Sequence, residues 1–333
     1  MAMSDEASAA GSAAQQAFAQ VRADLGERIV GQEGLIERLL IALLADGHLL
    51  VEGAPGLAKT TAIKELARRI EGDFQRVQFT PDLLPGDLTG TDIYRPETGE
   101  FQFQRGPLFH NLVLADEVNR APAKVQSALL EAMGERQITV GGRTYPLPEP
   151  FLVMATQNPI EQEGTYPLPE AQLDRFLMQA RVDYPDPKTE RGILAIARAE
   201  ARGQWRQQAE PPPVIGREQV FAARAEVMNL HMADNLEEYL VQLVLATRDP
   251  APYDQGLARM VDYGASPRAT IALDRCARAR AWLRGGDYVT PDDCHAVAYD
   301  VLRHRILLSY AAETEGLTPD ALVARLIRQV PMV

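Results

Sequence analysis

Cysteine is scarce in this chain of 333 residues, in which only Cys276 and Cys294 occur. They form no CxxC pair, and the five histidines show no metal-ligand spacing. This pattern argues against both a disulfide framework and a zinc site. Both cysteines fall in segments with a helical pattern, so we expect two buried free thiols.

Long apolar runs and an excess of basic residues are also missing. No apolar stretch approaches the roughly 18–20 residues that span a bilayer, and residues 1–20 lack the layout of a secretory signal. Asp and Glu number 46 against 34 Lys and Arg, so the net charge is −12. This charge argues against a broad surface for nucleic acid or anionic membrane. We therefore expect a cytoplasmic protein with no membrane span, for which nucleic acid is an unfavourable partner.

The remaining composition is that of an ordinary globular chain, and the length suits about two domains. Up to residue 185, five strand-like apolar runs alternate with helical segments, which predicts a parallel sheet covered by helices on both faces. These runs are residues 48–52, 74–79, 111–115, 150–156 and 176–182. Prolines then interrupt the chain, and the rest is nearly all helical, including one helix predicted over 290–310. We predict a tail and helix over 1–26, an α/β domain over 27–185 and a helical domain over 186–333.

Two insertions interrupt the alternation of strands and helices. Residues 80–107 contain two short strand-like pieces, 92–95 and 100–104, and carry five acidic residues against two arginines. Residues 136–147 contain two more pieces around Gly141-Gly142, which is a hairpin signal, and carry two arginines and no acid.

A glycine-rich octet, residues 53–60 (GAPGLAKT), lies between an apolar run and an amphipathic segment. A strand, a glycine-rich turn and a helix that opens with Lys-Thr form the layout of a phosphate-binding loop, because backbone N–H groups and the positive helix end converge on an anion. Lys59 is placed to reach the β and γ phosphates, and Thr60 to hold Mg²⁺. The alternative is a plain loop. The strict pattern has Gly in place of Ala58, where we expect nearly helical backbone that tolerates a small side chain.

Polar residues end two other predicted strands. Asp116 and Glu117 follow an apolar run, and carboxyl ends of parallel strands face the ligand crevice. Asp116 would face Mg²⁺, directly or through water, and Glu117 would polarise a water for attack on the γ phosphate. Asn158 would position that water or contact the γ phosphate. The alternatives are a solvated Asp-Glu pair and an ordinary Asn-Pro turn.

Two arginines complete the set of candidates. Arg175 precedes the last predicted strand of the sheet, and Arg268 lies in the first turn of a later helix. Each is a solvated surface arginine, an ion-pair partner, or a charge that is brought to the γ phosphate, as an arginine finger is.

In this order, the motifs resemble those of MoxR-type AAA+ ATPases. The matching stretches are residues 30–33 (VGQE), 53–60, 114–122 (LADEVNRAP), 126–135 (QSALLEAMGE), 155–159 (ATQNP), 166–176 (YPLPEAQLDRF) and 266–269 (SPRA). The resemblance implies a P-loop AAA+ core, with a parallel five-stranded sheet flanked by helices, and a C-terminal all-helical lid.

The resemblance also implies a role for each motif residue. Glu117 would be the catalytic base, Asn158 sensor 1, Arg175 a finger that acts on ATP in the neighbouring subunit, and Arg268 sensor 2, in its own subunit or the next. Thr60 and Asp116 would be the Mg²⁺ ligands. The ATP-binding residues would be Val30 and Gly31, near adenine, with Gly53, Ala54, Pro55, Gly56, Leu57, Ala58, Lys59, Thr60 and Thr61.

The function that the resemblance implies is ATP hydrolysis in a ring, expected to be a hexamer, that remodels or activates a protein client. Such ATPases often work with a protein carrying a von Willebrand factor A domain, and some help insert metal cofactors. Both insertions would face the central pore. Two alternatives stay open: a nucleic-acid-associated AAA+ motor, which the acidic first insertion disfavours, and a nucleotide-gated switch, which Glu117 disfavours.

Overall fold

The structure is a computed structural model that describes residues 11–54, 56–159, 164–202 and 214–332. The predicted tail up to residue 10 and Pro55 of the glycine-rich octet therefore lie outside the described residues. The helices are α1 (Ala13–Arg28), α2 (Glu33–Leu44), α3 (Lys59–Ala67), α4 (Pro85–Thr89), α5 (Ala123–Glu135), α6 (Glu170–Leu173), α7 (Pro187–Ala201), α8 (Arg217–Asn229), α9 (Asp234–Arg248), α10 (Pro267–Leu283), α11 (Pro291–Leu302), α12 (Tyr310–Thr314) and α13 (Pro319–Gln329). The strands are β1 (Leu49–Gly53), β2 (Phe74–Gln78), β3 (Gly90–Arg95), β4 (Glu100–Arg105), β5 (Leu112–Asp116), β6 (Gln137–Val140), β7 (Arg143–Pro146), β8 (Leu152–Gln157), β9 (Met178–Val182), β10 (Val261–Tyr263) and β11 (Leu307–Leu308).

The predicted five-stranded parallel sheet is confirmed. Its strand order is β2-β5-β8-β1-β9, and all four neighbouring pairs are parallel. The three strands that run into the motifs, β5, β8 and β1, are adjacent at the centre of the sheet. Their carboxyl ends therefore lie side by side, which brings the residues that follow them to one edge.

Helices cover both faces of this sheet, and alternate side chains of each strand pack against the helices on opposite faces. Leu49 and Val51 belong to the hydrophobic cluster that includes α2 and the C-terminal helices. Leu50 belongs to the second cluster, which includes α5 and parts of both insertions. This burial on both faces explains why the sequence shows continuous apolar runs rather than alternation.

Both insertions form antiparallel hairpins, β3–β4 from the strand-like pieces of the first insertion and β6–β7 at the hairpin signal of the second. The hairpins contact each other, because the rings of Phe103 and Tyr145 stack with centroids 4.3 Å apart. Tyr94 and Phe101 of the first hairpin are 51% and 69% exposed. The first insertion therefore presents aromatic side chains to solvent.

The C-terminal region is helical, but it departs from the predicted helix over 290–310. The helix begins as predicted, with the Thr290 side chain accepting a hydrogen bond from the backbone N–H of Asp293, yet it ends at Leu302. A short 3₁₀ turn, Arg303–Arg305, follows, and β11 then pairs with β10. The two cysteines are buried and free within α10 and α11, as predicted. In the described part of the chain, no helix is long and apolar enough to cross a bilayer.

Candidate nucleotide-binding site

The loop between β1 and α3 turns sharply at two residues with positive φ, Gly56 at 82° and Ala58 at 56°. Ala58 is the N-cap residue of α3 and has left-handed backbone. The expectation of nearly helical backbone at Ala58 is therefore wrong. The left-handed conformation costs an L-residue roughly 1–2 kcal/mol, so Ala58 strains the loop in a way that the Gly of the strict pattern would not.

Lys59, the first residue of α3, turns back over this loop. Its Nζ donates a hydrogen bond to the backbone oxygen of Gly53 at 2.5 Å. Partial burial lowers the pKa of the Lys59 ammonium, while the nearby carboxylates of Asp116 and Glu117 act in the opposite direction. The ammonium group thus stands between the start of the helix and the acids at the end of β5.

Asp116, the last residue of β5, is held by groups from both neighbouring strands. Its Oδ1 accepts a hydrogen bond from Thr156 Oγ1 at 2.6 Å, and its Oδ2 accepts one from Arg76 Nη2 at 2.7 Å. The same Oδ2 accepts a second hydrogen bond from Arg76 Nε at 3.1 Å, so the capacity for a cation lies in the second lone pair of Oδ1. Sequence analysis missed Arg76, because no motif marks a residue that reaches the site only through strand pairing.

Glu117 follows directly with left-handed backbone at φ 57°. Its backbone N–H donates to Thr156 Oγ1 at 2.9 Å. The Thr156 hydroxyl therefore accepts from Glu117 and donates to Asp116, and so it fixes both acids. The Glu117 Oε2 accepts from Gln78 Nε2 at 2.7 Å and lies 3.2 Å from Arg120 Nε.

These residues surround one small polar cavity of about 120 Å³. It brings together six predicted site residues, which come from the loop and the start of α3, from the end of β5 and from the end of β8, and it adds Thr156. The residues that line it are Gly56, Lys59, Thr60, Asp116, Glu117, Thr156 and Asn158. Asn158 is 5% exposed, so its side chain belongs to the site rather than to an open turn.

A second cavity of about 380 Å³ adjoins the loop and shares Gly56 with the first. Val30, Leu57, Ala58 and Thr61 line it together with apolar residues that include Ile29, Ile193 and Ile196. Gly31 lines a neighbouring cavity instead. It has φ 78°, and a Cβ there would lie 2.0 Å from Thr189 Cγ2 of α7, so only glycine allows this close packing. Gly53 and Ala54 are buried beneath the loop.

The two candidate arginines lie elsewhere. Arg175, between α6 and β9, donates from Nη1 to the backbone oxygen of Leu130 on α5 at 2.8 Å. Arg268, in the first turn of α10, is half-exposed, and its Nε lies 4.0 Å from Asp174 Oδ2. Neither arginine is among the described residues that line the two cavities.

Two known family models match separate parts of the chain. The model described as "ATPase family associated with various cellular activities (AAA)" matches residues 48–178, and the AAA lid domain matches residues 257–326. The first match contains the loop, both acids, Asn158 and Arg175, and the second contains Arg268.

Whole-length relatives are similar over most of the chain. Chaperone MoxR1 of Mycobacterium tuberculosis is 47% identical over 91% of this chain and 79% of its own length. Protein MoxR of Methylorubrum extorquens is 33% identical over 95% of each chain. A crystal structure from Cytophaga hutchinsonii has a TM-score of 0.87 at 46% identity and covers 96% of this chain and 95% of its own. The chain therefore belongs to the MoxR family of AAA+ ATPases.

Proposed function

We propose that this protein is a Mg²⁺-dependent ATPase that assembles into a homo-oligomeric ring, expected to be a hexamer, and remodels a protein client. The observation that carries the proposal is the polar cavity, in which Lys59, Thr60, Asp116, Glu117 and Asn158 meet. A loop, an ammonium group, a hydroxyl, two carboxylates and an amide are the groups that ATP hydrolysis requires.

The residues present fit MgATP. The start of α3 and Lys59 suit the triphosphate, because the N–H groups of a helix start and an ammonium group both attract an anion. Thr60 and Asp116 offer the hard oxygen ligands that Mg²⁺ prefers. The larger cavity, with Val30 and Ile29 against the loop, suits the nucleoside. Bound Mg²⁺ would neutralise charge that develops on the γ phosphate.

In this proposal, Glu117 accepts the proton of the attacking water, and Asn158 orients that water. The carboxylate of Glu117 is held by Gln78, and its backbone N–H by Thr156. These contacts fix its position relative to Asp116, which matters because catalysis depends on placing the base within hydrogen-bond reach of the water.

Two substitutions test the site. We expect Lys59→Ala to lose tight ATP binding, and Glu117→Gln to bind ATP but not turn it over. The measurements are ATP affinity by calorimetry and phosphate release at steady state. Lys64→Ala and Glu131→Gln are matched controls, because both residues are exposed on the adjoining helices α3 and α5. Unchanged affinity in Lys59→Ala, or normal turnover in Glu117→Gln, would contradict the assignments.

Arg175 is proposed as a finger that acts on the nucleotide of the neighbouring subunit. Its place outside the cavities of its own subunit supports this role, since a group that serves a neighbour belongs at the periphery. Supplying such a finger is worth about 10³- to 10⁵-fold in turnover. Arg268 is proposed as sensor 2, which contacts nucleotide from the lid.

Mixed rings test a finger in trans. Arg175→Ala subunits keep the phosphate loop, and Lys59→Ala subunits keep the finger, so each supplies what the other lacks. We expect two nearly inactive proteins to regain turnover when mixed. Failure of the mixture to regain turnover, with mixed rings verified by mass spectrometry, would be evidence against the trans role.

The remodelling of a client is supported by the name of the Mycobacterium tuberculosis relative, Chaperone MoxR1. A partner with a von Willebrand factor A domain, or a step of metal-cofactor insertion, is part of the same proposal. Affinity capture with Glu117→Gln held in ATP should retain the client, and Lys59→Ala should release it. Stimulation of turnover by DNA at low salt would favour a nucleic-acid motor instead.

A further inference from the structure

A buried arginine of the lid, Arg305, forms hydrogen bonds with the residues on both sides of Arg175. It lies in the 3₁₀ turn after α11, and its Nε donates to Asp174 Oδ1 at 2.9 Å. Its Nη2 donates to the backbone oxygens of Asp174 and Phe176, at 3.3 and 2.5 Å. Its Nη1 donates to the backbone oxygens of Leu177, at 3.1 Å, and Val301, at 2.5 Å.

All five N–H donors of this guanidinium are therefore used. Four of the five acceptors belong to Asp174, Phe176 and Leu177, so Arg175 is enclosed by residues that Arg305 holds. The Arg305 residue is 9% exposed. Burial lowers its pKa, and the Asp174 carboxylate opposes that change. A charge is rarely buried without such complete pairing, so the geometry of this segment is tightly specified.

Further contacts from the lid hold the same segment. The hydroxyl of Ser266, the N-cap residue of α10, donates to Asp174 Oδ2 at 2.9 Å. His304 Nε2 donates to the backbone oxygen of Phe176 at 3.3 Å. The fixed segment runs directly into β9, whose neighbour β1 leads to the phosphate loop. Two separate parts of the lid thus hold the residues around Arg175.

We propose that Arg305 is a positioning residue that sets the placement of Arg175 and thereby couples the lid of one subunit to hydrolysis in the next. The inference rests on the proposed finger role of Arg175. Any shift of the lid against the sheet moves the Arg305 guanidinium and, with it, the backbone on either side of the finger. The lid that closes over one nucleotide therefore controls the charge offered to the neighbouring one.

A purely structural role for Arg305 makes different predictions. If Arg305 only anchored the lid, its loss would lower the stability of the subunit and weaken nucleotide binding in that same subunit. If Arg305 positions the finger, the defect appears in the neighbour's turnover and is repaired by any subunit that carries an intact finger. Mixed rings separate the two roles.

The test uses Arg305→Lys, which keeps the charge but cannot donate in five directions. We expect kcat to fall about 10²-fold, the loss that follows a misplacement of about 1 Å, while ATP affinity stays unchanged. Mixing with Lys59→Ala subunits should restore turnover, as it should for Arg175→Ala. Arg325→Lys is the matched control, because Arg325 is also a lid arginine that pairs with an aspartate, Asp254, but does so away from Arg175.

Asp174→Asn is the second variant, for the case in which Arg305→Lys does not fold, as judged by thermal unfolding. It removes the ion pair with Arg305 and the longer one with Arg268 and leaves the backbone acceptors of Arg305, so a smaller loss of kcat with the same rescue is expected. Full turnover in the folded variant, or a loss that mixing does not repair, would overturn the positioning role. Full turnover in Arg175→Ala would instead overturn the proposed finger, and this inference with it.

Discussion

Left-handed backbone occurs at two non-glycine residues of the candidate site, Ala58 in the phosphate loop at φ 56° and Glu117 after β5 at φ 57°. Residues held in sparsely populated conformations cluster at functional sites, where the surrounding structure over-determines them. At Glu117, the Thr156 hydroxyl accepts from the strained residue and donates to Asp116. Ala58 directly precedes Lys59, where the helical backbone of α3 begins. The strained turn at Glu117 is thus held by hydrogen bonds within the site.

Ala58→Gly should stabilise the protein. Relief of the left-handed conformation is worth roughly 1–2 kcal/mol, and the greater chain entropy of glycine when unfolded offsets about 0.4–1 kcal/mol of it. We expect the free energy of unfolding, from urea titration, to rise by about 0.5–1 kcal/mol as the balance of these terms.

Ala62→Gly is the control for this prediction. It lies inside α3 with ordinary helical backbone and is fully buried, so glycine there should lower the free energy of unfolding by about 1 kcal/mol. A loss of stability in both variants would show that residue 58 is not left-handed in solution.

Motif residues and their supporting residues differ in how far the sequence reveals them. Lys59, Thr60 and Asp116 could be predicted because each sits at a strand end or helix start that is visible in the chain itself. Arg76 and Gln78 could not, because they reach the acids only through the pairing of β2 with β5. The conformation of Ala58 was also beyond the pattern, since alanine rarely adopts left-handed backbone and its residue type therefore does not mark such a position.

At the scale of elements, the lid shows how tertiary contacts override local pattern. Helical periodicity continues past residue 302, and the sequence therefore predicts one helix to residue 310. The structure ends α11 at Leu302, because Arg303 and Arg305 turn toward the sheet and bind backbone oxygens of Gln179 and Phe176. The start of α11 was predictable because capping is local, and its end was not, because it depends on residues more than a hundred positions away.

His48 joins three elements just before β1. Its Nδ1 accepts a hydrogen bond from the backbone N–H of Val153 in β8 at 3.0 Å, so its Nε2 carries the proton and donates to the backbone oxygen of Met133 in α5. Burial, with Arg136 adding to it, lowers the pKa of His48 to about 3. The ring therefore stays neutral in the folded protein throughout the mildly acidic range.

Acid should destabilise the fold through this histidine. The folded pKa lies below the unfolded value, so between about pH 6.5 and pH 3 the unfolded chain binds a proton that the folded chain does not. The contribution of His48 to the free energy of unfolding is fully present above pH 6.5. Below that pH, the free energy of unfolding falls by up to about 1.4 kcal/mol per pH unit. His304, whose pKa burial lowers well below its ordinary value, adds a loss of the same sign.

The measurement is urea unfolding at pH 7 and pH 5 for the wild-type protein and for His48→Gln. The free energy of unfolding should depend less steeply on pH in the variant. The difference in slope should correspond to about one bound proton. His231→Gln, at an exposed histidine, is the matched control. Equal slopes in the wild type and His48→Gln would show that His48 does not titrate as a buried neutral ring.

The whole molecule divides the parts of the proposed reaction between two places. The cavities that fit MgATP lie at the carboxyl ends of β1, β5 and β8, whereas Arg175 and Arg268 lie around Asp174, at the junction of sheet and lid. The charge of −12 and the acidic first insertion are consistent with a protein client rather than a phosphate backbone. In the proposed function, one subunit thus holds a nucleotide site and, separately, a finger for its neighbour.

This division predicts that turnover per subunit depends on protein concentration. A dissociated subunit binds ATP but lacks the neighbour's Arg175, so it should hydrolyse up to about 10³- to 10⁵-fold more slowly than an assembled one. Steady-state phosphate release, measured across the range in which analytical ultracentrifugation follows assembly, should rise in parallel with the fraction of rings.

Arg175→Lys is the control, because it keeps a positive charge at the interface but lacks the planar guanidinium that pairs with phosphate oxygens. This variant should assemble over the same concentrations as the wild type, but its ATP turnover should remain slow at all of them. The comparison separates the effect of assembly on turnover from the effect of the Arg175 guanidinium. A wild-type rate per subunit that stays constant while rings dissociate would mean that each subunit hydrolyses alone. The role of Arg175 would then be structural, through its hydrogen bond to the Leu130 carbonyl on α5 within its own subunit.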